Sequence, residues 1–164
     1  MSDLILTPMD QAAARAVVDW HYPPPYNLYS IGADPLGAAF FLSSVDRGYF
    51  QLRDRSGELV AFCCFGEEGR VPGGDYRAPA LDLGIGVRPD LTGRGEGMRY
   101  LAPVIAFGVE QYRPPLLRLT VAAFNTRAIR LYAKAGFAEV GSFYSALAGR
   151  DFIVMTRPAL PPAE

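Results

Sequence analysis

The residues of this chain that could act together on a ligand lie between Leu81 and Gly97, LDLGIGVRPDLTGRGEG, where an apolar run enters a glycine-rich turn and a helix begins. Gly93, Gly95 and Gly97 alternate in that turn. Lacking Cβ atoms, they let successive backbone N–H groups converge on an anion, and the following helix N-terminus adds partial positive charge. The pattern points to a ligand carrying a diphosphate. A mononucleotide loop of the GxxxxGK[ST] type needs a lysine and a hydroxyl that do not follow here, and glycines spaced GxGxG do not match the dinucleotide fingerprint GxGxxG.

A second segment, residues 116 to 137, reads LLRLTVAAFNTRAIRLYAKAGF. It is an apolar strand followed by N-x-x-A-x-x-L-Y-x-x-x-G-F, at Asn125, Ala128, Leu131, Tyr132, Gly136 and Phe137. Together with Val87-Arg88-Pro89 and Thr92-Gly93-Arg94-Gly95-Glu96-Gly97, this resembles motifs A and B of the GNAT superfamily of N-acetyltransferases, in the same order. Motif A of that family is a strand ending V-x-P, then [QR]-x-x-G-x-[GA] and a helix. Thr92 stands where the family usually has Gln or Arg. The resemblance extends over residues 45 to 157.

The resemblance implies a three-layer α/β fold with a central mixed, mostly antiparallel sheet. In that fold the motif A and motif B strands are parallel and splay apart to hold acyl-CoA. It implies that backbone groups of Ile85, Gly86 and Val87 pair with the pantetheine arm, and that the turn from Thr92 through Gly93, Arg94, Gly95 and Glu96 to Gly97 holds the diphosphate. Arg94, Arg99 and Arg130 are candidates for the outer phosphates, or ordinary solvated arginines in a chain that has one lysine, Lys134, among its 16 basic residues. The implied reaction moves an acetyl group from acetyl-CoA to a primary amine of a small molecule, peptide or protein. The amine attacks directly in a ternary complex, with no metal.

Acyl transfer from a thioester requires an amine to lose a proton, charge on a carbonyl oxygen to be stabilised, and a thiolate to leave. By resemblance Tyr132 is the acid for the thiolate, the alternative being a packing tyrosine. Asn125 holds the pantetheine arm, caps a helix, or does both. A backbone N–H near Gly86 is the expected oxyanion donor, the alternative being that Gly84 and Gly86 mark a bulge. Asp82 is the candidate base or substrate anchor. Counting back from V-x-P, however, it faces the wrong way unless a bulge shifts the strand by one residue, and a structural role stays open. His21, the only histidine, and water are rival proton acceptors. The acceptor wall is expected from Trp20, Tyr22, Tyr26 and Tyr29, whose aromatic faces attract ammonium groups or else simply pack. A non-catalytic acyl-CoA-binding sensor or interaction domain is the alternative on the same fold.

The elements that position these residues follow from caps and periodicity. A helix is expected over 7 to 20 with Thr7 as cap and Pro8 first inside it, and another from Asp34-Pro35 to Leu42. Between them Trp20 to Tyr29, with Pro23, Pro24 and Pro25, is a stiff irregular loop. Strands at 47–54 and 58–66 form a hairpin around Ser56-Gly57, and a loop fills 67–78. The motif A strand at 80–88 leads to a helix over 94–112 that contains Pro103. A strand at 116–122, a helix at 126–135 ended by Gly136, and strands at 137–146 and 150–157 complete the sheet.

With 164 residues, half of them apolar, the chain is expected to form one domain over 1–157, with a Pro-rich tail at 158–164. A net charge of −1 supplies no basic field for nucleic acid or an anionic membrane. No apolar run reaches the roughly 18 residues that span a bilayer, and MSDLILTPMD has no basic and apolar leader, so a cytoplasmic location is expected. Cys63 and Cys64 are adjacent in LVAFCCF, without metal-ligand spacing. A homodimer is compatible with these features.

Overall fold

A computed structural model describes residues 3–159. In chain order the elements are β1 Ile5–Pro8, α1 Gln11–Val18, α2 Pro35–Ser43, β2 Tyr49–Arg53, β3 Leu59–Phe65, β4 Leu81–Val87, α3 Gly97–Tyr112, β5 Leu116–Ala122, α4 Thr126–Lys134, β6 Ala138–Ser145 and β7 Arg150–Pro158. The strands make a seven-stranded mixed sheet in the order β1-β2-β3-β4-β5-β7-β6. β4 and β5 run parallel, pairing Leu81 with Leu117 and Asp82 with Arg118, while β1-β2, β2-β3, β5-β7 and β6-β7 are antiparallel. This is the expected α/β class. Two compact units share the elements: residues up to Cys64 with Ile85–Val104, and Phe65–Gly84 with the residues from Ile105 onward. Both β4 and α3 therefore contribute residues to each unit.

In the first unit the N-terminal expectation needs correction. Thr7 and Pro8 belong to edge strand β1, and the cap of α1 is Asp10, whose carboxylate accepts the Ala13 N–H at 2.8 Å. Proline is tolerated at a sheet edge because its missing donor faces no partner strand. Gln51 ties the junction together, its amide donating to Pro8 O at 3.0 Å and to Asp10 Oδ2 at 3.3 Å. The core holds Met9, Ala13, Ala14, Val17, Phe41 and Leu59, with Trp20, Ile31, Tyr49 and Phe62 packed against it. Asp34 caps α2 through the Leu36 N–H at 3.2 Å. The β2-β3 turn closes on Asp54, whose Oδ1 accepts the N–H groups of Ser56 and Glu58.

β4 keeps one register along β3. The Gly66 N–H donates to Asp82 O at 2.8 Å, and the Arg88 N–H donates to Val60 O at 2.9 Å. These bonds lie an even number of residues apart on β4 and in a single antiparallel register. A one-residue bulge at Gly84 or Gly86 is thereby excluded. The following helix starts at Gly97 and not at 94, because Gly93 (φ 73°) and Gly95 (φ 75°) have left-handed backbones that a right-handed helix cannot include. Pro103 lies inside α3.

In the second unit β7 sits between β5 and β6. Asn125 caps α4, and Gly136 (φ 96°) follows its end, as the sequence predicts. β7 continues to Pro158, and buried Ala159 donates its N–H to Pro115 O at 3.3 Å. Pro158 and Ala159 of the expected 158–164 tail are thus placed in and beside β7, and residues 160–164 lie outside the described residues.

Candidate active site

The first unit contains the C-terminal end of β4 and the glycine turn. Because Asp82 O and Arg88 N–H bond toward β3, the backbone of Gly84 and Gly86 faces β3 as well, while Ile85 and Val87 present theirs to the opposite edge. The expected Gly86 N–H oxyanion donor therefore points into the sheet, and Gly86 is glycine for a different reason. A methyl group there would overlap the ring of Phe62. That ring lies 6.0 Å from Trp20 and 6.0 Å from Phe41, so the close approach at Gly86 serves an aromatic cluster.

The Val87–Arg88 peptide is held at both ends. Its N–H bonds to Val60 O, and its carbonyl accepts the Tyr22 hydroxyl at 2.6 Å. Burial pushes the Tyr22 phenol well above its ordinary pKa, so it stays a neutral donor. The Arg88 side chain is fixed by Glu58 (2.9 Å), Leu59 O (3.0 Å) and Asp90 (2.7 Å).

Beyond Pro89 the turn is exposed at Gly93, Arg94 and Gly95, with φ of 73° at Gly93 and 75° at Gly95. Thr92 spends its hydroxyl (2.7 Å) and its N–H (3.2 Å) on Pro89 O, so it shapes the turn where a longer side chain is usual in the resembling family. Arg99 is engaged by Asp3 at 2.8 Å and Glu96 at 3.6 Å, which raise its pKa further. Of the aromatic wall, Trp20 belongs to the packed cluster and Tyr22 to β4. Tyr26 and Tyr29 are half-buried on a 3-10 turn, Tyr26–Tyr29. His21 is exposed.

In the second unit the strand-end candidate Asp82 is 1 % exposed and fully committed. Arg118 grips it in a bidentate pair, Nε to Oδ1 at 2.6 Å and Nη2 to Oδ2 at 2.8 Å, and Arg70 adds Nε to Oδ2 at 2.9 Å. Arg118 also donates to Ala78 O at 2.8 Å. Both guanidinium groups lie over Tyr76, at 5.0 Å for Arg118 and 5.4 Å for Arg70. The Tyr76 hydroxyl meets Thr120 Oγ1 at 2.8 Å and accepts the Val71 N–H at 2.9 Å. Of the two roles open to Asp82, this geometry supplies the structural one. Sequence reasoning missed Arg118, although a lone cation inside the apolar strand LLRLTVA was its signal.

Asn125 is buried, and its Oδ1 accepts the Ala128 N–H at 3.1 Å. Tyr132 is buried about two turns further along α4, edge-on to Phe137 with centroids 6.2 Å apart. Arg130 is exposed. Among the described residues no group of three His, Cys, Asp or Glu side chains could hold a metal ion, and no helix is long and apolar enough to cross a membrane.

The site region thus has an exposed glycine turn after a parallel-paired strand, followed later by a strand and an Asn-capped helix. Residues 14–137 match the model of the Acetyltransferase (GNAT) family, and the chain belongs to it. Acetyl transfer is the chemistry of that class. No curated protein matches the sequence.

Solved structures share the fold. Spermidine N-acetyltransferase from Vibrio cholerae in complex with CoA and spermine aligns over 96% of this chain and 96% of its own, with TM-score 0.72 and 16% identity. A protein provisionally described as a phosphinothricin N-acetyltransferase aligns over 96% and 99%, with TM-score 0.70 and 17% identity.

Proposed function

We propose that this protein transfers an acetyl group from acetyl-CoA to a primary amine by direct attack. The observation that carries the reading is the exposed turn at Gly93 and Gly95, whose left-handed glycines leave backbone N–H groups available to a diphosphate ahead of α3. The residues fit the co-substrate. The turn from Thr92 to Gly97 takes the diphosphate, with Arg94 and Arg130 toward the outer phosphates, and the outward backbone of Ile85 and Val87 takes the pantetheine amides. Gly86 contributes by admitting Phe62. Asn125 and Tyr132 are assigned to the pantetheine arm and to the leaving sulfur on the strength of the resemblance.

In the reaction the amine lone pair attacks the thioester carbonyl carbon and the carbon–sulfur bond breaks. The thiolate takes the Tyr132 hydroxyl proton, and the proton released by the amine passes to water. Asp82 is not assigned the base, because removing it from two guanidinium groups to accept a proton would leave buried charge uncompensated. The acceptor is a small-molecule, peptide or protein amine, approached along Trp20, Tyr22, Tyr26 and Tyr29.

The test is turnover with labelled acetyl-CoA over a panel of amines. Tyr132→Phe lowers kcat by about 100-fold, the usual scale of a general acid, and leaves acetyl-CoA affinity unchanged. With no enzyme base, kcat/KM for the amine climbs about tenfold per pH unit up to the amine's own pKa near 10. A plateau above an ionisation near pH 6 would assign a side-chain base instead. Stable acetylation of the protein itself by acetyl-CoA alone would sink direct attack. The rival reading, an acyl-CoA-binding sensor, draws on the engagement of Asp82. It requires saturable acetyl-CoA binding with no acetylated product from any amine.

A further inference from the structure

Tyr22 lies 65 residues from Val87 in sequence, yet its hydroxyl donates to the Val87 carbonyl at 2.6 Å. That carbonyl belongs to the same peptide plane as the Arg88 N–H, which bonds to Val60 O on β3. A trans peptide directs its N–H and C=O to opposite sides, so Tyr22 occupies the edge of β4 turned away from β3. This is the edge on which Ile85 and Val87 present their backbone groups. Tyr22 is itself anchored, its N–H donating to Ser30 Oγ at 2.9 Å, with Ser30 buried. The loop that carries Tyr22 begins at Trp20, which packs on Phe62, and Phe62 fills the space over Gly86.

We propose that Tyr22 is a positioning residue for the acyl-CoA strand site, a role that rests on the functional reading above. Its hydroxyl fixes the Val87–Arg88 peptide before the ligand arrives. Ile85 N–H, Ile85 C=O and Val87 N–H are left, preset, as the groups that an extended amide chain pairs with, and the Val87 carbonyl marks where that pairing stops. A peptide plane clamped at both ends loses no orientational freedom on binding, so the pairing groups cost less to order. The neutral phenol takes no part in proton transfer. The same bond couples the aromatic loop, the expected acceptor wall, to the strand that holds the donor.

Calorimetric titration of wild-type protein, Tyr22→Phe and Tyr144→Phe with acetyl-CoA and with adenosine 3′,5′-bisphosphate tests the assignment. The bisphosphate has no pantetheine arm and reads the glycine turn alone. Tyr22→Phe is expected to weaken acetyl-CoA about fivefold, the scale of one hydrogen bond, with the bisphosphate unchanged. Tyr144→Phe, an exposed substitution on β6, should change neither. Should Tyr22→Phe fail to fold, Ser30→Ala releases the Tyr22 backbone and is expected to weaken acetyl-CoA in the same selective way by about twofold. Equal loss of both ligands, no loss, or tighter acetyl-CoA binding because the phenol had competed for the carbonyl would each overturn the proposal. Absence of acetyl-CoA binding by the wild type would overturn the functional reading with it.

Discussion

The two halves of β4 use their polar groups in opposite ways. At Leu81–Gly84 the one charged side chain, Asp82, is buried and consumed by Arg118 and Arg70, and Leu81 and Asp82 pair with β5. At Ile85–Val87 there is no charged side chain, and what the strand offers is backbone, steadied by Tyr22 at one end and relieved of a Cβ at Gly86. In this strand the residue with the most chemical appearance holds the fold, and the residues with the least are the ones we propose for the site. The physical reason is cost. A carboxylate that is 1 % exposed must be neutralised where it stands, whereas a strand edge is ready to bond with any extended chain that reaches it.

The largest effect that could break this contrast is expected at Asp82. Asp82→Asn leaves the Arg118 guanidinium buried without its counter-charge and costs about 3–5 kcal/mol, read from urea denaturation. If Asp82 were instead the base, the variant would keep its stability and lose turnover. Gly86→Ala forces the Phe62 ring aside and costs about 1–3 kcal/mol in the same measurement. A neutral outcome would mean that the aromatic cluster yields easily. Gly95→Ala meets open space, so its cost is only that of a left-handed residue, about 1 kcal/mol. It sharpens the contrast because acetyl-CoA affinity should fall while the melting temperature shifts by only a few degrees.

What could be read from the sequence was local. The Asp34-Pro35 cap, the Ser56-Gly57 turn, the glycines at 93, 95 and 97, and the Asn125 cap ended by Gly136 each carry their signal within a few residues, and each stands where expected. The two motifs located the family for the same reason. What could not be read depended on partners far along the chain. Thr7-Pro8 and Asp10 are both adequate helix starts, and pairing of β1 with β2 decides for Asp10. Whether β4 bulges depends on β3, and its even register removes the slip that would have turned Asp82 toward a ligand. The pairs Asp82 with Arg118, Gly86 with Phe62 and Val87 with Tyr22 are separated by tens of residues, beyond any helical or strand period.

The central claim, that the glycine turn and the end of β4 form an acyl-CoA site, is tested most directly by calorimetric titration of the purified protein with acetyl-CoA, with ATP as control. The account predicts saturable binding of acetyl-CoA at one site per chain and none of ATP. Failure of acetyl-CoA to bind, or equal binding of ATP, would contradict it and reduce the two motifs to a scaffold.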